Sequence, residues 1–435
     1  MSVTRRALLG ATAAAGLAGC ARAAGGPRWA GPAAGPVTGD PPAAASGLSS
    51  ARPTPTGSAP ADRLTRNLTA TLTRFLTPSR ENPKHPSYAG AVALVMVGGS
   101  VRAQVAVGDA LRYGAGAVEL PEWKRVRMRT DSVFDLASLT KVFTSILVLR
   151  QVDRGRIDLR RPVADYLPGF VGAGKAGITT AMLLAHTSGL PVGATVTGLS
   201  SDAERRAAVL ATPLVKGAVP GTVFRYSSVG LMVAAQLVEK VTGQRLDRAL
   251  RGGLTGPLGL RDTGFLPRTW VSSTDRLVAT DAHTSRGLLR GVVHDDVASL
   301  MGGIAGSAGV FATASDVAAL GRLLLDGGRP VLTAQTVALM RRNANKGLPA
   351  VDPERPQRTA DHGLGVVLDQ PWFMGKLSSP ATFGHTGFTG TSLLVEPRRR
   401  LVLVLLTNRA HPDWTWADPD PVRVAVADTV AAALG

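Results

Sequence analysis

Periodic apolar positions predict a helix and then two strands near the start of the folded part of the chain. From Leu64 to Leu76 apolar residues recur every three or four positions, as on one face of a helix, and a proline ends the pattern. Two short apolar runs, at residues 91–97 and 101–107, are separated by a pair of glycines, which predicts a β-hairpin. We expect ordered structure to begin near Asp62.

The C-terminal end has a similar pattern. Residues 391–396 and 401–407 are two apolar runs joined by an arginine-rich turn, and a last helical pattern covers about residues 421–434. Between the two ends lies a long, mostly helical stretch. This order predicts an α+β fold, in which an antiparallel sheet flanked by helices is interrupted by a mostly helical subdomain roughly within residues 142–325.

Residues 1–20 have the pattern of an export signal. Arg5-Arg6 precede an apolar run that is too short to span a bilayer permanently and that ends in small residues before Cys20. The ending Leu17-Ala18-Gly19-Cys20 resembles a bacterial lipobox. It implies that Cys20 is lipidated and anchors the protein to the outer face of the cytoplasmic membrane. An ordinary signal peptide cut nearby is the alternative, and both the general and the twin-arginine export routes stay open.

The remainder of the chain divides into a linker and one domain. Residues 21–60 are rich in Ala, Gly, Pro and Ser and contain few large apolar side chains, so they predict a flexible tether. Residues 61–435 form the predicted folded domain, which is long enough to bury a large core.

Charge and composition narrow the classes of partner. The net charge of +18 comes from arginines spread along the chain, and such a surface attracts membrane headgroups or acidic wall polymers. Nucleic-acid binding is not expected, because no basic stripe is interleaved with aromatic residues. The single cysteine excludes an intramolecular disulfide, and the seven histidines show no i, i+4 pairing, so we expect no metal and no cofactor. The oligomeric state stays open.

A serine and a lysine three residues apart precede a strong helical pattern. Ser138 and Lys141 stand just before the apolar run at residues 142–149, so Ser138 is predicted at or near a helix N-terminus. Lys141 would lie on the same helix face, where a neutral amine could accept the proton of the serine hydroxyl. The alternative is a helix-capping serine followed by a solvated lysine, because this four-residue pattern is common by chance.

Two further motifs favour the catalytic interpretation. Phe224-Arg225-Tyr226-Ser227-Ser228 precedes a helical run, and Phe383-Gly384-His385-Thr386-Gly387-Phe388 precedes a predicted strand. In this order after Ser138-x-x-Lys141, they resemble the superfamily of serine β-lactamases, penicillin-binding proteins and class C-like esterases. The signature of that superfamily is Ser-x-x-Lys, then Tyr-x-Asn, then Lys-Thr-Gly or a His-x-Gly variant. The resemblance covers about residues 62–434.

The resemblance implies a role for each matching residue. Ser138 would be the nucleophile, and Lys141 and Tyr226 would share the general acid and base work, with the first proton acceptor left open. The backbone N–H groups of Ser138 and Phe388 would form the oxyanion hole. The segment His385-Thr386-Gly387 would line the substrate pocket.

Two positions depart from the family pattern. Ser228 stands where the family usually has asparagine, and its hydroxyl cannot supply the two donors of an amide. His385 replaces the family lysine, so the pocket is expected to lack a permanent cation for a substrate carboxylate. In the family, histidine at this position is usual among esterase-like and peptidase-like members. Both changes weaken an antibiotic-degrading interpretation.

The sequence therefore predicts an exported serine hydrolase that acts through an acyl-enzyme. The expected substrates are esters or D-amino-acid peptides of the cell wall, with weak reaction with a β-lactam. A non-catalytic lipoprotein that binds the cell wall or a ligand on the same fold is the alternative, as is a wall-associated protein held by its positive charge. His294 with Asp295 could form a second catalytic pair, but a hydrogen bond that orders a loop near the pocket is favoured.

Overall fold

The computed structural model describes residues 59–352 and 358–435. The predicted signal, Cys20 and most of the predicted tether lie outside the described residues. The first helix begins at Ala59, so the last two residues of the predicted tether belong to that helix, and ordered structure starts slightly before Asp62.

The described residues form twelve α-helices. They are α1 (Ala59–Arg74), α2 (Thr140–Asp153), α3 (Thr180–Leu184), α4 (Asp202–Ala211), α5 (Ser228–Thr242), α6 (Leu246–Leu250), α7 (Gly256–Leu258), α8 (Asp296–Leu300), α9 (Ala314–Leu325), α10 (Ala334–Arg341), α11 (Pro371–Met374) and α12 (Asp420–Leu434).

The strands are concentrated toward the two ends of the described chain. They are β1 (Gly90–Val97), β2 (Ser100–Leu111), β3 (Val126–Arg127), β4 (Phe134–Asp135), β5 (Thr263–Gly264), β6 (Ala279–Asp281), β7 (Leu289–Arg290), β8 (Phe311–Ala312), β9 (Val367–Leu368), β10 (Phe383–Thr386), β11 (Ser392–Glu396) and β12 (Leu401–Thr407).

The main sheet has seven strands in the order β3-β2-β1-β12-β11-β10-β9. All of its pairings are antiparallel, and the first long strand pairs with the last one, with Leu94 opposite Val404. The hairpin of β1 and β2 and the hairpin of β11 and β12 match the apolar runs in the sequence. Their central position explains why β1, β11 and β12 are almost entirely buried.

Helices cover both faces of this sheet, and alternation along the strands sends side chains to each. Val92 and Leu94 belong to the core that also contains residues of α2 and α9. Ala91, Ala93 and Val95 belong to a second core with residues of α1 and α12. The predicted α+β architecture, an antiparallel sheet flanked by helices, is confirmed.

Helix α2 is almost entirely buried within its helical layer. Eleven residues of α2 are buried, because the helix packs against α5 and α6 and shares one core with residues of β1 and α9. At the C-terminal end of the predicted helical subdomain, α9 packs on β1, β11 and β12. No helix among the described residues is long and apolar enough to cross a membrane.

Candidate active site

A tight turn at the end of β4 places Ser138 in front of α2. Ser138 is the middle residue of a single 3-10 turn, Ala137–Leu139, which runs directly into the helix. Ala137 has a φ of 46°, in the left-handed region that residues other than glycine rarely adopt. The carboxylate of Asp135 accepts the N–H of Ala137 at 2.9 Å and so holds this turn. The serine is therefore presented at the start of a buried helix, as the sequence predicts.

Lys141 approaches Ser138 from within the core. Its Nζ donates to Ser138 Oγ at 2.9 Å and to the carbonyl oxygen of Ser307 at 3.1 Å. The lysine side chain is only 1% exposed. The i, i+3 spacing from the 3-10 turn into α2 thus produces the contact with the nucleophile, and the alternative of a solvated lysine is wrong. In its neutral form the same amine is placed to accept the proton of the serine hydroxyl.

Tyr226 lies next to the amino group of Lys141. Lys141 Nζ is 4.9 Å from the centre of the Tyr226 ring. The ring is held by the start of α5, because Ser227 caps that helix through the N–H of Gly230 and donates to the carbonyl oxygen of Pro191. The structure therefore brings together the three residues predicted to catalyse the reaction, from positions far apart in the chain.

The turn between β10 and β11 is joined to the serine turn by two hydroxyl groups. Thr389 Oγ1 donates to the carbonyl oxygen of Asp135 at 2.8 Å, and Thr391 Oγ1 donates to that of Leu136 at 2.9 Å. A Cβ atom on Gly387 would lie 2.3 Å from the same Leu136 oxygen, so only glycine fits this approach. The peptide that carries the N–H of Phe388 therefore lies beside the turn of the nucleophile.

The remaining predicted pocket residues lie on the same elements. Ser228 is the first residue of α5 and is 7% exposed, whereas Thr386 ends β10 and is 9% exposed. His385 is buried on β10 and donates from Nδ1 to the carbonyl oxygen of Thr386 at 2.8 Å. Burial lowers the pKa of His385 well below its usual value, and the Lys141 ammonium lowers it further. His385 is thus neutral near pH 7 and supplies no cation.

Three buried histidines, His186, His362 and His385, meet behind Tyr226, and a ring nitrogen of each lies within 4.8 Å of the others. The prediction that excluded a metal rested on helical i, i+4 spacing. It could not detect this group, because the residues come from a turn after α3, a segment before β9 and strand β10. His362 was also missed by the sequence reasoning, since it stands in a Gly-rich stretch with no recognisable pattern.

The protonation pattern of this histidine group does not suit a cation. His186 Nδ1 accepts the N–H of Ser227 at 3.1 Å, so the neutral ring carries its hydrogen on Nε2 and has no second lone pair to offer a metal. Burial lowers the pKa of His362 to about 4, and Arg358 adds to this effect. The group formed by the described residues contains no carboxylate, and the charges of Lys141 and Arg358 would repel a metal ion.

His294 does not pair with its neighbour Asp295. Its Nε2 lies 3.0 Å from Asp281 Oδ2, and its backbone N–H donates to Asp135 Oδ2 at 2.7 Å. The carboxylate of Asp295 instead caps α8 through the N–H of Ala298. These contacts order the loop and tie it to the turn that precedes the nucleophile, which is the role that the sequence reasoning favoured. A His294–Asp295 catalytic pair is not formed.

Comparisons with known proteins find similar sequences over most of the chain. Residues 61–428 match the family model described as "Beta-lactamase". A "Putative D-alanyl-D-alanine carboxypeptidase" of Escherichia coli strain K12 is 31% identical over 342 residues, which are 70% of this chain and 74% of the relative. An "N-acetylmuramyl-L-alanine amidase" of Bacillus subtilis strain 168 is 30% identical over 352 residues, 74% of this chain and 78% of the relative.

Solved structures show the same fold. The structure described as "EstCE1, a hydrolase with promiscuous acyltransferase activity" superposes with a TM-score of 0.65 at 22% sequence identity. The match covers 85% of this chain and 100% of that one.

Proposed function

This chain belongs to the beta-lactamase family and is a serine hydrolase, and we propose that it acts through an acyl-enzyme on Ser138 with ester or D-amino-acid peptide substrates related to the cell wall. The observation that carries this proposal is the 2.9 Å contact between Lys141 Nζ and Ser138 Oγ in a buried setting. A cation that served only the fold would not need to touch a half-buried hydroxyl group in front of a helix.

The proposed reaction has two balanced steps. In the first, Ser138 Oγ attacks the substrate carbonyl carbon while its proton passes to Lys141 or Tyr226. The bond to the leaving alcohol or amine breaks, and the leaving group takes up a proton. In the second, a water molecule attacks the acyl carbon and gives up a proton to the same groups. The bond from that carbon to Ser138 Oγ then breaks, Oγ takes the proton back, and the acid is released. The N–H groups of Ser138 and Phe388 stabilise the oxyanion in both steps.

The pocket chemistry favours esters over β-lactams, and the support for wall peptides comes from the relatives. Ser228 offers one hydroxyl where an amide would offer two N–H donors, so recognition of a substrate amide is weakened. The neutral His385 offers no charge to the carboxylate that β-lactams and terminal peptides carry. The relatives with wall-related names support a cell-wall substrate. We therefore place esters and D-amino-acid peptides first and expect weak β-lactam reaction.

A covalent-adduct experiment tests the proposal. The protein is exposed separately to 4-nitrophenyl butyrate, a fluorophosphonate and a penicillin, and its intact mass is measured. We expect an adduct with the fluorophosphonate and turnover of the ester, both lost in Ser138→Ala and retained in Ser315→Ala, which changes an exposed serine on α9. An unmodified wild-type protein with all three reagents would contradict the hydrolase and favour the non-catalytic binding lipoprotein.

We further propose that the protein is exported and anchored through Cys20. The support is the sequence pattern alone, with a charged start, a short apolar run and a lone cysteine after Leu17-Ala18-Gly19. Anchoring would hold the enzyme close to wall precursors at the membrane. Expression of the full chain in a bacterial host with labelled palmitate tests this idea. Label in the wild type but not in Cys20→Ser supports it, and an unlabelled, secreted wild type contradicts it.

A further inference from the structure

A buried arginine of the C-terminal helix holds the turn that carries the second oxyanion donor. Arg423 on α12 is 2% exposed. Its Nη2 donates to the carbonyl oxygen of Gly387 at 2.7 Å and to that of Thr391 at 3.0 Å. Its Nη1 donates to Asp420 Oδ1 at 2.6 Å. One guanidinium group therefore binds both ends of the turn between β10 and β11.

The geometry of the peptide bond links this contact to the active site. The carbonyl group of Gly387 and the N–H group of Phe388 belong to the same planar trans peptide, so they point in opposite directions. A donor that fixes the carbonyl from behind also fixes the direction of the N–H in front. On the front side, the same turn lies against the serine segment through Thr391 and Leu136. Arg423, together with the N–H of Gly390, which donates to the same Gly387 oxygen at 3.0 Å, therefore holds the peptide plane that carries the N–H of Phe388.

The charge of Arg423 adds an electrostatic effect. A cation that donates to a carbonyl oxygen draws electron density along the amide, which makes the N–H of that peptide a stronger donor. The effect is largest where water is excluded, as it is around this buried side chain. Asp420 balances the charge within the same helix turn, so the guanidinium can remain buried. Arg409 secures the following carbonyl in a similar way, since its Nε donates to Phe388 O at 2.7 Å.

We propose that Arg423 is a positioning residue for the oxyanion hole, which aims and polarises the N–H of Phe388 from the side opposite to the substrate. This inference rests on the proposed function, because it assumes an oxyanion that forms on the carbonyl attacked by Ser138. It assigns a role in the reaction to α12, which contributes no residue of the recognised motifs. A purely structural role, in which Arg423 only docks α12 on the sheet, would affect stability and leave turnover unchanged.

The test compares Arg423→Gln, Arg423→Lys and Arg423→Ala with Arg206→Met. Arg206 is a matched control, because it is a partly buried arginine paired with Asp202 and Glu239 far from the active-site motifs. For each variant we would measure the melting temperature, kcat and KM for 4-nitrophenyl butyrate, and the affinity for phenylboronic acid. The tetrahedral boronate on Ser138 places a negatively charged oxygen in the oxyanion hole, so its affinity reports on the N–H donors.

We expect Arg423→Gln and Arg423→Ala to lower kcat by about 10- to 100-fold with little change in KM, less than or similar to the loss of a whole oxyanion donor. Boronate affinity should fall by a similar factor, and Arg423→Lys should recover part of both. Added guanidinium ion should partly restore the turnover of Arg423→Ala. Arg206→Met should lose stability but keep kcat and boronate affinity.

Two other results would contradict the proposal in different ways. If folded Arg423 variants keep the wild-type kcat and boronate affinity, the positioning role is wrong while the serine hydrolase stands. If wild-type protein neither turns over the ester nor forms a Ser138 adduct, the proposed function itself fails, whatever Arg423 does. If an Arg423 variant is too unstable for the activity assay, its melting temperature is measured with and without the boronate. A positioning role predicts that the same boronate concentration stabilises this variant less than it stabilises Arg206→Met.

Discussion

Thr391 and Leu136, 255 positions apart in the chain, are joined by a hydrogen bond of 2.9 Å from the threonine hydroxyl to the leucine carbonyl oxygen. Leu136 stands two residues before the nucleophile, and Thr391 closes the turn that carries Phe388. A second hydroxyl, that of Thr389, makes the equivalent contact with Asp135. The turn that carries Ser138 and the turn that carries Phe388 are therefore one structural unit. A change in either turn should alter the rate of the reaction.

Replacement of this hydroxyl gives the first prediction. In Thr391→Val the Leu136 carbonyl loses a buried donor, which should lower the free energy of unfolding by about 1–3 kcal/mol and kcat several-fold. Chemical denaturation and ester hydrolysis measure the two effects. Thr212→Val is the control, because that hydroxyl bonds within its own helix and lies outside the site, so it should affect stability only. Equal kcat in both variants would show that the hydroxyl does not act on the site.

Gly387 gives a steric prediction. A Cβ at this position would lie 2.1 Å from Thr391 Oγ1 and 2.3 Å from the Leu136 oxygen, so one of the two turns must move. We expect Gly387→Ala to lower kcat by at least about 100-fold, because a small displacement of a reacting group is costly. Gly177→Ala is the matched control, since nothing lies within 4 Å of its Cβ. Comparable turnover in the two variants would contradict the close approach.

Replacement of Lys141 should lower the activity without lowering the stability of the protein. In Lys141→Met the general base next to Ser138 is lost, so acylation by the ester should slow by about 10²- to 10⁴-fold. The protein should be no less stable, because a buried polar amino group is replaced by an apolar chain of similar length. Stopped-flow release of nitrophenolate and thermal unfolding measure the two quantities. A mutant that acylates at the normal rate would leave Tyr226 as the first proton acceptor.

Buried histidines predict a loss of stability in mild acid. The pKa of His362 in the folded protein is about 4, below its ordinary value near 6.5, so the unfolded state binds more protons between these values. The stabilising effect is complete above about pH 6.5 and is lost as the pH falls toward 4, by at most about 1.4 kcal/mol per pH unit for each such residue. His362→Gln should flatten the decline of melting temperature with falling pH. An unchanged slope in His362→Gln would contradict this account.

The last prediction concerns substrate class. Ser228→Asn introduces the amide donors that the family pattern carries at this position, so acylation by a penicillin or a D-amino-acid peptide should rise at least several-fold relative to ester turnover. Ser228→Ala serves as the control for the loss of the hydroxyl alone. The measure is the ratio of the two kcat/KM values, which corrects for any general loss of activity. An unchanged or lower ratio in Ser228→Asn would mean that this position does not select the substrate.

Local sequence patterns were sufficient to predict the parts of the site that lie within one helix or one hairpin. The contact of Ser138 with Lys141 follows from their i, i+3 spacing at the start of α2, and the two hairpins follow from pairs of short apolar runs. The family resemblance then selected Tyr226 from a distant segment, which spacing alone could not do. The family, the α+β fold and the serine hydrolase class are confirmed.

Other parts of the site could not be predicted from the sequence, because no sequence motif marks them. Arg423 acts on backbone carbonyls, and any segment of the chain can offer those, so no partner motif marks it. His362 becomes significant only when the fold brings it next to His186, because burial, not spacing, creates the group. The packing of α9 on the sheet leaves no sequence signal for a similar reason, since α9 is as apolar as its neighbours and only its contacts show that it covers the sheet.

The pairing of β1 with β12 also has a consequence for how the protein is made. A ribosome adds about 5–20 residues per second, so roughly 15 to 60 s pass between the synthesis of the first strand and that of its central partner. Throughout this time the apolar edge of β1 lacks its neighbour, and unpaired edges of this kind invite aggregation. We therefore expect the nascent chain to bind chaperones. A premature stop codon anywhere before β12 would yield a product that lacks the central strand of the sheet and has no activity.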